Sequence, residues 1–352
     1  MAKKKKKKKN KKQKEKDKKI QDALDKIKSR FGDEAVVKMQ TDDIKDIDVI
    51  STGCPSLNMA LGVGGVPRGR VIEIYGPEAS GKTTLALHIL AEAQKEGGVA
   101  AFVDAEHAID FSYSRKIGIN VSELIVSQPS SGEEALGIVE SLVKSGNVDV
   151  IAVDSVAALT PQKEIEGEMG DQQIGLQARL MSRALRKLSA IVSDTNTAVV
   201  FLNQTRMKVG VHFGNPETTP GGKALKFWSS VRINLRRRAV IKRNDDIVGN
   251  KVSAKIVKNK VASPFRKTEF NIYYNQGISR EADLIKIGVE QGIIEKNGSW
   301  YNYGEEKLGQ GLYNSKEYLR ENDSLAKEIE EKVMKRDKEE QKEKEKRDDD
   351  SN

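Results

Sequence analysis

Short apolar runs alternate with amphipathic stretches between residues 70 and 204. "RVIEIY" (70–75), "VAAFVDAE" (99–106), "VDVIAVDS" (148–155) and "TAVVFLNQ" (197–204) are rich in β-branched residues, which predicts buried strands. "TLALHILAEAQ" (84–94), "SSGEEALGIVESLVKSG" (130–146) and "LQARLMSRALRKLSAIVSD" (176–194) carry apolar residues at helical spacing. The last of these places Leu180, Leu185, Leu188 and Ile191 on one face. Alternation of this kind predicts an α/β fold with a mostly parallel central sheet covered by helices. The pattern then changes. "SVRINLRRRAVIK" (230–242), "KVSAKIVKN" (251–259) and "KTEFNIYY" (267–274) follow without long helices and should extend the sheet as antiparallel strands. From about residue 280 a small α/β domain is expected, with an Asn-Gly turn in "EKNGSWYNY" and a charged helix from Ser315. A small N-terminal helical element is expected in "IQDALDKIKSRFG" (20–32).

Charge sharpens these boundaries. The 352-residue chain has a formal net charge of +9. Residues 3 to 19 hold thirteen lysines against Glu15 and Asp17, net +11, and the other 48 basic and 50 acidic residues leave −2. The basic balance therefore belongs to one tract, read as a disordered lysine-rich tail over 1–19, either solubilising or attracted to phosphate backbones. Residues 335–352, with eight acids and seven bases, should form a second disordered charged tail. No apolar run reaches the length of a membrane span, and the N-terminus lacks the apolar region of a secretory signal. The single cysteine, Cys54, excludes an internal disulfide framework and fits a reducing cytoplasm; in "STGCPSLN" it reads as a small buried residue.

Chemistry concentrates at predicted strand ends. "GPEASGKTT" (76–84) lies between a strand and a helix and meets the phosphate-loop pattern through Gly76, Gly81, Lys82 and Thr83. Glycines let backbone N–H groups converge on anionic oxygens, and the following helix adds free N–H groups and a favourable dipole. Lys82 would reach the β- and γ-phosphates of a nucleotide, and Thr83 would ligate Mg²⁺. Asp154 ends its strand where a Mg²⁺-organising carboxylate belongs, and Glu106 ends another where it could activate water as a general base. Gln204 could bond a γ-phosphate without bringing charge. His107 reads as structural. The aperiodic segments "PQKEIEGEMGDQQIG" (161–175) and "TRMKVGVHFGNPETTPGG" (205–222) mix basic, apolar and glycine residues. Long unpatterned segments inside a compact domain are uncommon, and this composition suits a polymer of phosphates and bases.

Taken in order, "GPEASGKTT", "FVDAEHAID", "VIAVDSVAALTP", "EIEGEMGD", "FLNQTRMKVGVHFGNPETTPGGKALKF" and "VKNKVASPF" resemble the bacterial RecA recombinases over roughly residues 20 to 335. The resemblance implies a RecA-type ATPase core over 49–279, an N-terminal helix and linker for subunit packing over 20–48, and a C-terminal domain over 280–334. It implies a helical filament on single-stranded DNA that pairs a homologous duplex, with ATP bound between subunits and hydrolysis permitting turnover. An SOS repressor is a further implied partner. The implied ATP site comprises Gly76, Pro77, Glu78, Ala79, Ser80, Gly81, Lys82, Thr83 and Thr84, with Glu106 as catalytic carboxylate. Asp154 would stand beside Mg²⁺, and Asp110 and Tyr113 would contact adenine. Gln204 would link the γ-phosphate to the loop after it, and Lys258 and Lys260 would reach a neighbour's γ-phosphate. DNA contacts would come from Ile174, Arg179, Ser182, Arg186, Met207, Lys208, Val209, Gly221 and Gly222, and Phe227 would lie at the subunit interface. Ile174 stands where many members have methionine, the lysine tract is not a general family feature, and the C-terminal tail is nearly neutral where many members are acidic.

Three other readings share some of these features. A ring-forming helicase would use the same ATP residues but differ in assembly, and the N-terminal element and the 280–335 unit favour the recombinase. A small-molecule kinase would need an arginine-bearing lid and an acceptor pocket. A non-enzymatic DNA-binding protein held by the basic tract would not need Glu106 with Gln204.

Overall fold

A computed structural model of the chain describes residues 2–36, 47–168, 175–207 and 216–349. The chain divides into two units, Met1–Asp46 and Ile47–Asn352. In the first, helix α1 (Ala2–Phe31) is followed by one 3₁₀ turn, Asp33–Ala35. The tract over 1–19, expected to be a disordered tail, thus falls within this helix from residue 2 onward. Lysine loses little rotamer freedom in a helix, and the amphipathic 20–31 stretch supplies a turn already formed for the tract to extend. Ile20, Ile27 and Phe31 are exposed on α1, at helical spacing.

The second unit is built on a nine-stranded sheet. Its strands, in chain order, are β1 (Val71–Gly76), β2 (Ala100–Asp104), β3 (Ile125–Ser127), β4 (Val150–Asp154), β5 (Ala198–Gln204), β6 (Val231–Arg243), β7 (Asp246–Asn259), β8 (Lys267–Tyr273) and β9 (Gly277–Ile278). Their order across the sheet is β9-β8-β7-β6-β1-β5-β4-β2-β3. The strands from β6 to β3 pair in parallel; β6–β7, β7–β8 and β8–β9 are antiparallel. The first of the three late strands thus joins the parallel set, and only the later ones extend it antiparallel. Asn244 and Asp245, both at positive φ, turn β6 into β7.

Period-two alternation divides the apolar residues between the faces. Ile72, Ile74, Phe102, Ala152, Val200 and Leu202 enter one core; Val71, Val103, Ile151, Val153, Val199 and Phe201 enter the other. The helix after β1, α2 (Lys82–Lys95), covers the first face through Leu85, Ile89 and Leu90. On the second face lie α3 (Gly132–Lys144) and α4 (Leu176–Asp194). The buried stripe of α4 is Met181, Leu185, Leu188 and Val192, so it is centred one position away from the expected Leu180 and Ile191, which are partly buried.

After β9 come α5 (Arg280–Glu290), a three-stranded antiparallel sheet (Glu295–Asn297, Trp300–Tyr303, Glu306–Gln310), α6 (Gly311–Glu321) and α7 (Asp323–Asp349). Two helices thus replace the single one expected from Ser315, and α7 continues through residues expected to fray. Leu284, Ile287, Ile294, Leu308, Leu319, Ile329 and Val333 form this domain's own core. A polar tie joins it to the part of the chain built on the large sheet. Asp283 Oδ2 accepts the Ser56 N–H at 2.7 Å and the Cys54 thiol at 3.4 Å. Cys54 is fully buried; burial, then the Asp283 charge, pushes its thiol pKa well up. Among the described residues, no helix is long and apolar enough to cross a membrane.

Candidate nucleotide and DNA sites

Four adjacent parallel strands end together: β1 in Gly76, where the phosphate loop begins, and β5, β4 and β2 in the polar Gln204, Asp154 and Asp104. Ligands of open α/β sheets bind at this carboxyl edge. Backbone demands fix the glycines of the loop that follows β1. A Cβ on Gly76 would lie 2.2 Å from the Leu235 carbonyl oxygen, and Gly81 sits at φ 89°. Pro77, Glu78 and Ala79 are exposed, Ser80 is buried, and α2 begins at Lys82. Thr84 Oγ1 lies 3.3 Å from the Tyr113 hydroxyl. Asp110 caps the short helix Phe111–Ile117 by accepting the Tyr113 N–H at 3.0 Å.

The charged groups face one another across the strand ends. Thr83 donates its hydroxyl to Asp154 Oδ2 at 2.6 Å. Burial pushes the Asp154 carboxyl up to about 6, the Thr83 bond lowers it, and the Glu106 charge raises it. Lys82 Nζ donates to the Pro77 carbonyl at 2.9 Å. Burial lowers its pKa, while Asp154, Glu106 and Glu78 oppose that shift. Glu106 Oε1 accepts from Gln204 Nε2 at 3.1 Å and from the Ser155 hydroxyl. Asp104 lies beneath, its oxygens taking the Ala108 and Ile109 N–H groups and the Gln128 amide, so it shapes the turn that carries Glu106. His107 is exposed at φ 53° in that turn.

These groups fit a nucleotide triphosphate with a divalent cation. Ser80 Oγ is buried without a hydrogen-bond partner, and Lys82 Nζ lies on a carbonyl of its own loop. Among the described residues no group of three or more His, Cys, Asp or Glu could cage a metal. The Thr83 hydroxyl and Asp154 would therefore hold magnesium together with phosphate oxygens and water, its usual coordination.

Several of the candidate DNA residues lie on α4 or pack against it. Arg179 and Arg186 are exposed and Ser182 half-buried, at helical spacing along α4. Gly221 and Gly222, both at positive φ, pack on the same helix: a Cβ on Gly222 would lie 2.9 Å from Ala178 Cβ, and one on Gly221 3.2 Å from Met181 Cγ. Met207 is 66% exposed in a small ladder, Arg206–Met207 against Glu217–Thr218. Ile174, Lys208 and Val209 lie outside the described residues. Phe227 is 68% exposed on the short helix Ala224–Trp228. The two lysines of "KNK" differ. Lys260 is exposed, whereas Lys258 Nζ donates to the Lys226 and Phe227 carbonyls at 2.8 and 2.9 Å within its own subunit.

Sequence reasoning missed several groups that the fold brings to this edge. Ser155 follows Asp154 and bonds Glu106. Gln177 accepts the Gly221 N–H at 3.0 Å and donates to the Val156 and Leu159 carbonyls, which ties the glycine pair to the end of β4. Glu73, Asn203 and Arg232 form a buried polar group beneath the nucleotide edge. Only Glu73 left a trace in the sequence, as a charge inside an apolar strand.

Comparison with known proteins agrees with the fold. A model of the RecA N-terminal domain matches residues 18–279, and one of the RecA C-terminal domain matches residues 282–338. "Protein RecA" of Clostridium acetobutylicum is 57% identical over 316 residues, covering 90% of each chain. "Protein RecA" of Geobacter sulfurreducens is 58% identical over 317 residues, covering 90% of this chain and 94% of its own. The Clostridium perfringens protein of the same name is 56% identical over 316 residues, 90% of each chain. With both domain models matched in order and the phosphate loop, Glu106 and Gln204 gathered at one sheet edge, the chain belongs to the RecA family.

Proposed function

We propose that this protein is a DNA-dependent ATPase that forms helical filaments on single-stranded DNA and catalyses homologous pairing and strand exchange in recombinational repair. The observation that carries this reading is the bond from Gln204 to Glu106. Gln204 is the last residue of β5, and the 205–222 segment begins directly after it. A group at the hydrolytic site therefore immediately precedes the segment proposed to touch DNA.

The chain's own residues divide the chemistry. Backbone N–H groups of 78–81 and the start of α2 cradle the phosphates, and Lys82 supplies the cationic contact. Magnesium, when bound, neutralises phosphate charge beside Thr83 and Asp154. Glu106 accepts a proton from the attacking water, and Ser155 and Gln204 orient its carboxylate. Gln204 can exchange that bond for one to the γ-phosphate, which moves the root of the DNA segment. Asp110 and Tyr113 border the space for adenine. Lys260, with Lys258 once released from the Lys226 and Phe227 carbonyls, reaches the neighbouring subunit's nucleotide. Arg179, Ser182 and Arg186 meet the DNA backbone, with Gly221 and Gly222 letting it approach. Ile174, Met207, Lys208 and Val209 complete that surface.

Assembly follows from exposed apolar surface. Ile20, Ile27 and Phe31 of α1 and Phe227 of the core suit subunit packing. Family membership further supports a role in SOS repressor self-cleavage and a cytoplasmic location. The test is ATP hydrolysis with and without single-stranded DNA, together with joint-molecule formation. Hydrolysis without DNA stimulation, or stimulation without joint molecules, would remove the recombinase reading.

A further inference from the structure

Glu73 is a carboxylate in the middle of β1, wholly buried, with an apolar residue on either side. Such a charge persists only if paired and fully hydrogen-bonded. Both of its oxygens are engaged. Oε2 accepts Arg232 Nε at 2.5 Å, and Oε1 accepts Asn203 Nδ2 at 3.0 Å. Arg232 lies opposite Glu73 in the parallel β6–β1 register, and its guanidinium stacks 4.6 Å from the Tyr75 ring centroid.

Asn203 passes the connection on. Its Nδ2 also donates to the Pro220 carbonyl at 3.2 Å, and its Oδ1 accepts the Gln204 N–H at 3.0 Å. One buried amide therefore holds both ends of the 205–222 segment, the end at Gln204 and the end at Pro220. On the other side, Arg232 is paired across β6–β7 with Lys258, whose ammonium caps the Phe227 carbonyl. Burial first, then the charges of Lys260 and Arg232, press the Lys258 pKa down, and Glu73 opposes them.

We propose that Glu73 is a positioning residue that couples the nucleotide edge to both ends of the 205–222 segment, acting through Asn203 and Arg232. A shift of Gln204 pulls on Asn203, and Asn203 is fixed to Glu73 and to Pro220. The far end of the segment must then move with the near end. Glu73 is wholly buried, so it would act through its partners and not on nucleotide or DNA directly. Its loss should spare ATP binding and cut the response to DNA. This inference rests on the reading of the protein as a DNA-dependent ATPase.

The test compares the full-length wild type, Glu73→Gln and Glu73→Met/Arg232→Met. The first variant keeps shape and removes charge. The second removes both charges, so neither is left buried alone. ATP hydrolysis is measured with and without a single-stranded oligonucleotide, with KM for ATP, kcat and melting temperature. The expected result is a loss of about tenfold or more in DNA stimulation of kcat, a KM for ATP within about twofold of wild type, and unchanged hydrolysis without DNA. Full stimulation in either folded variant overturns the proposal. So does a loss that matches the unfolded fraction, or failure of both variants to fold, since Glu73 is then structural only. A wild type unresponsive to DNA refutes the underlying functional reading instead.

Discussion

Gln204, at the end of β5, donates its side-chain amide to the Glu106 carboxylate, at the end of the β2 turn, across 3.1 Å. The Ser155 hydroxyl reaches the same oxygen. Glu106→Gln retains an acceptor oxygen for both donors but loses basicity. ATP and DNA binding should survive, while DNA-stimulated turnover falls by about 10²-fold or more. An unchanged rate in a steady-state ATPase assay would take Glu106 out of the mechanism.

Lys82 has its ammonium on the Pro77 carbonyl, poised over the loop. Lys82→Ala removes the main cationic partner of the phosphates. Charge-assisted bonds of this kind contribute about 1.5–3 kcal/mol, so ATP affinity should fall by roughly one to two orders of magnitude. Nucleotide titration and joint-molecule assays check this. Near-normal strand exchange would overturn the assignment.

Lys260 is exposed on the segment after β7. If it serves a neighbouring subunit's nucleotide, Lys260→Ala and Lys82→Ala should complement each other. Each supplies the group the other lacks, and groups acting in trans at phosphoryl transfer contribute about 10³-fold or more. Mixed filaments should recover ATPase activity that neither variant has alone. No recovery, with co-assembly on DNA verified, places the whole site within one subunit.

His88 gives a pH dependence. It is buried on α2, and its Nε2 accepts the Ile278 N–H at 2.8 Å, which requires the neutral ring. Burial, then the charge of Lys95, lowers its pKa to about 3. The unfolded chain takes up this proton below about 6.5 and the folded chain does not. Stability from His88 is therefore complete above pH 6.5 and declines as pH falls toward 3. The decline should reach about 2 kcal/mol by pH 5. His88→Gln keeps an acceptor without titrating, so its unfolding free energy should fall less between pH 7 and pH 5. Parallel urea curves for both proteins at the two pH values would refute this.

All but the last two residues of the lysine tract of α1 lie ahead of the region matched by the family models, which begins at residue 18. The rest of the chain sums to −2, so long-range attraction to duplex DNA should depend on residues 3 to 19. Each phosphate neutralised adds about −0.9 to the slope of log affinity against log salt. Deleting residues 2–19 should weaken duplex capture and flatten that slope. ATPase activity saturated with single-stranded DNA should change little. An unchanged slope makes the tract a solubilising appendage.

Much of the site was legible in sequence because its parts are local. The phosphate loop needs Gly76, Gly81, Lys82 and Thr83 within eight residues, and buried strands and the α4 periodicity show themselves over single turns or runs. Glu106, Asp154 and Gln204 could be picked out because each follows a recognisable strand. Their mutual placement could not, since strand order sets β5 beside β1 and β4, not sequence. Glu73 is 159 residues from Arg232 and 130 from Asn203; Ser56 is 227 from Asp283. Lys258 likewise turned out to cap its own subunit's helix. The sequence alone determined the strands and helices of the large sheet's core and which turn can hold phosphate, because backbone propensity and apolar period act over a few residues. Tertiary structure alone decided which buried charges meet, because a carboxylate taken out of water must find its partner across the sheet, wherever the chain carries that partner.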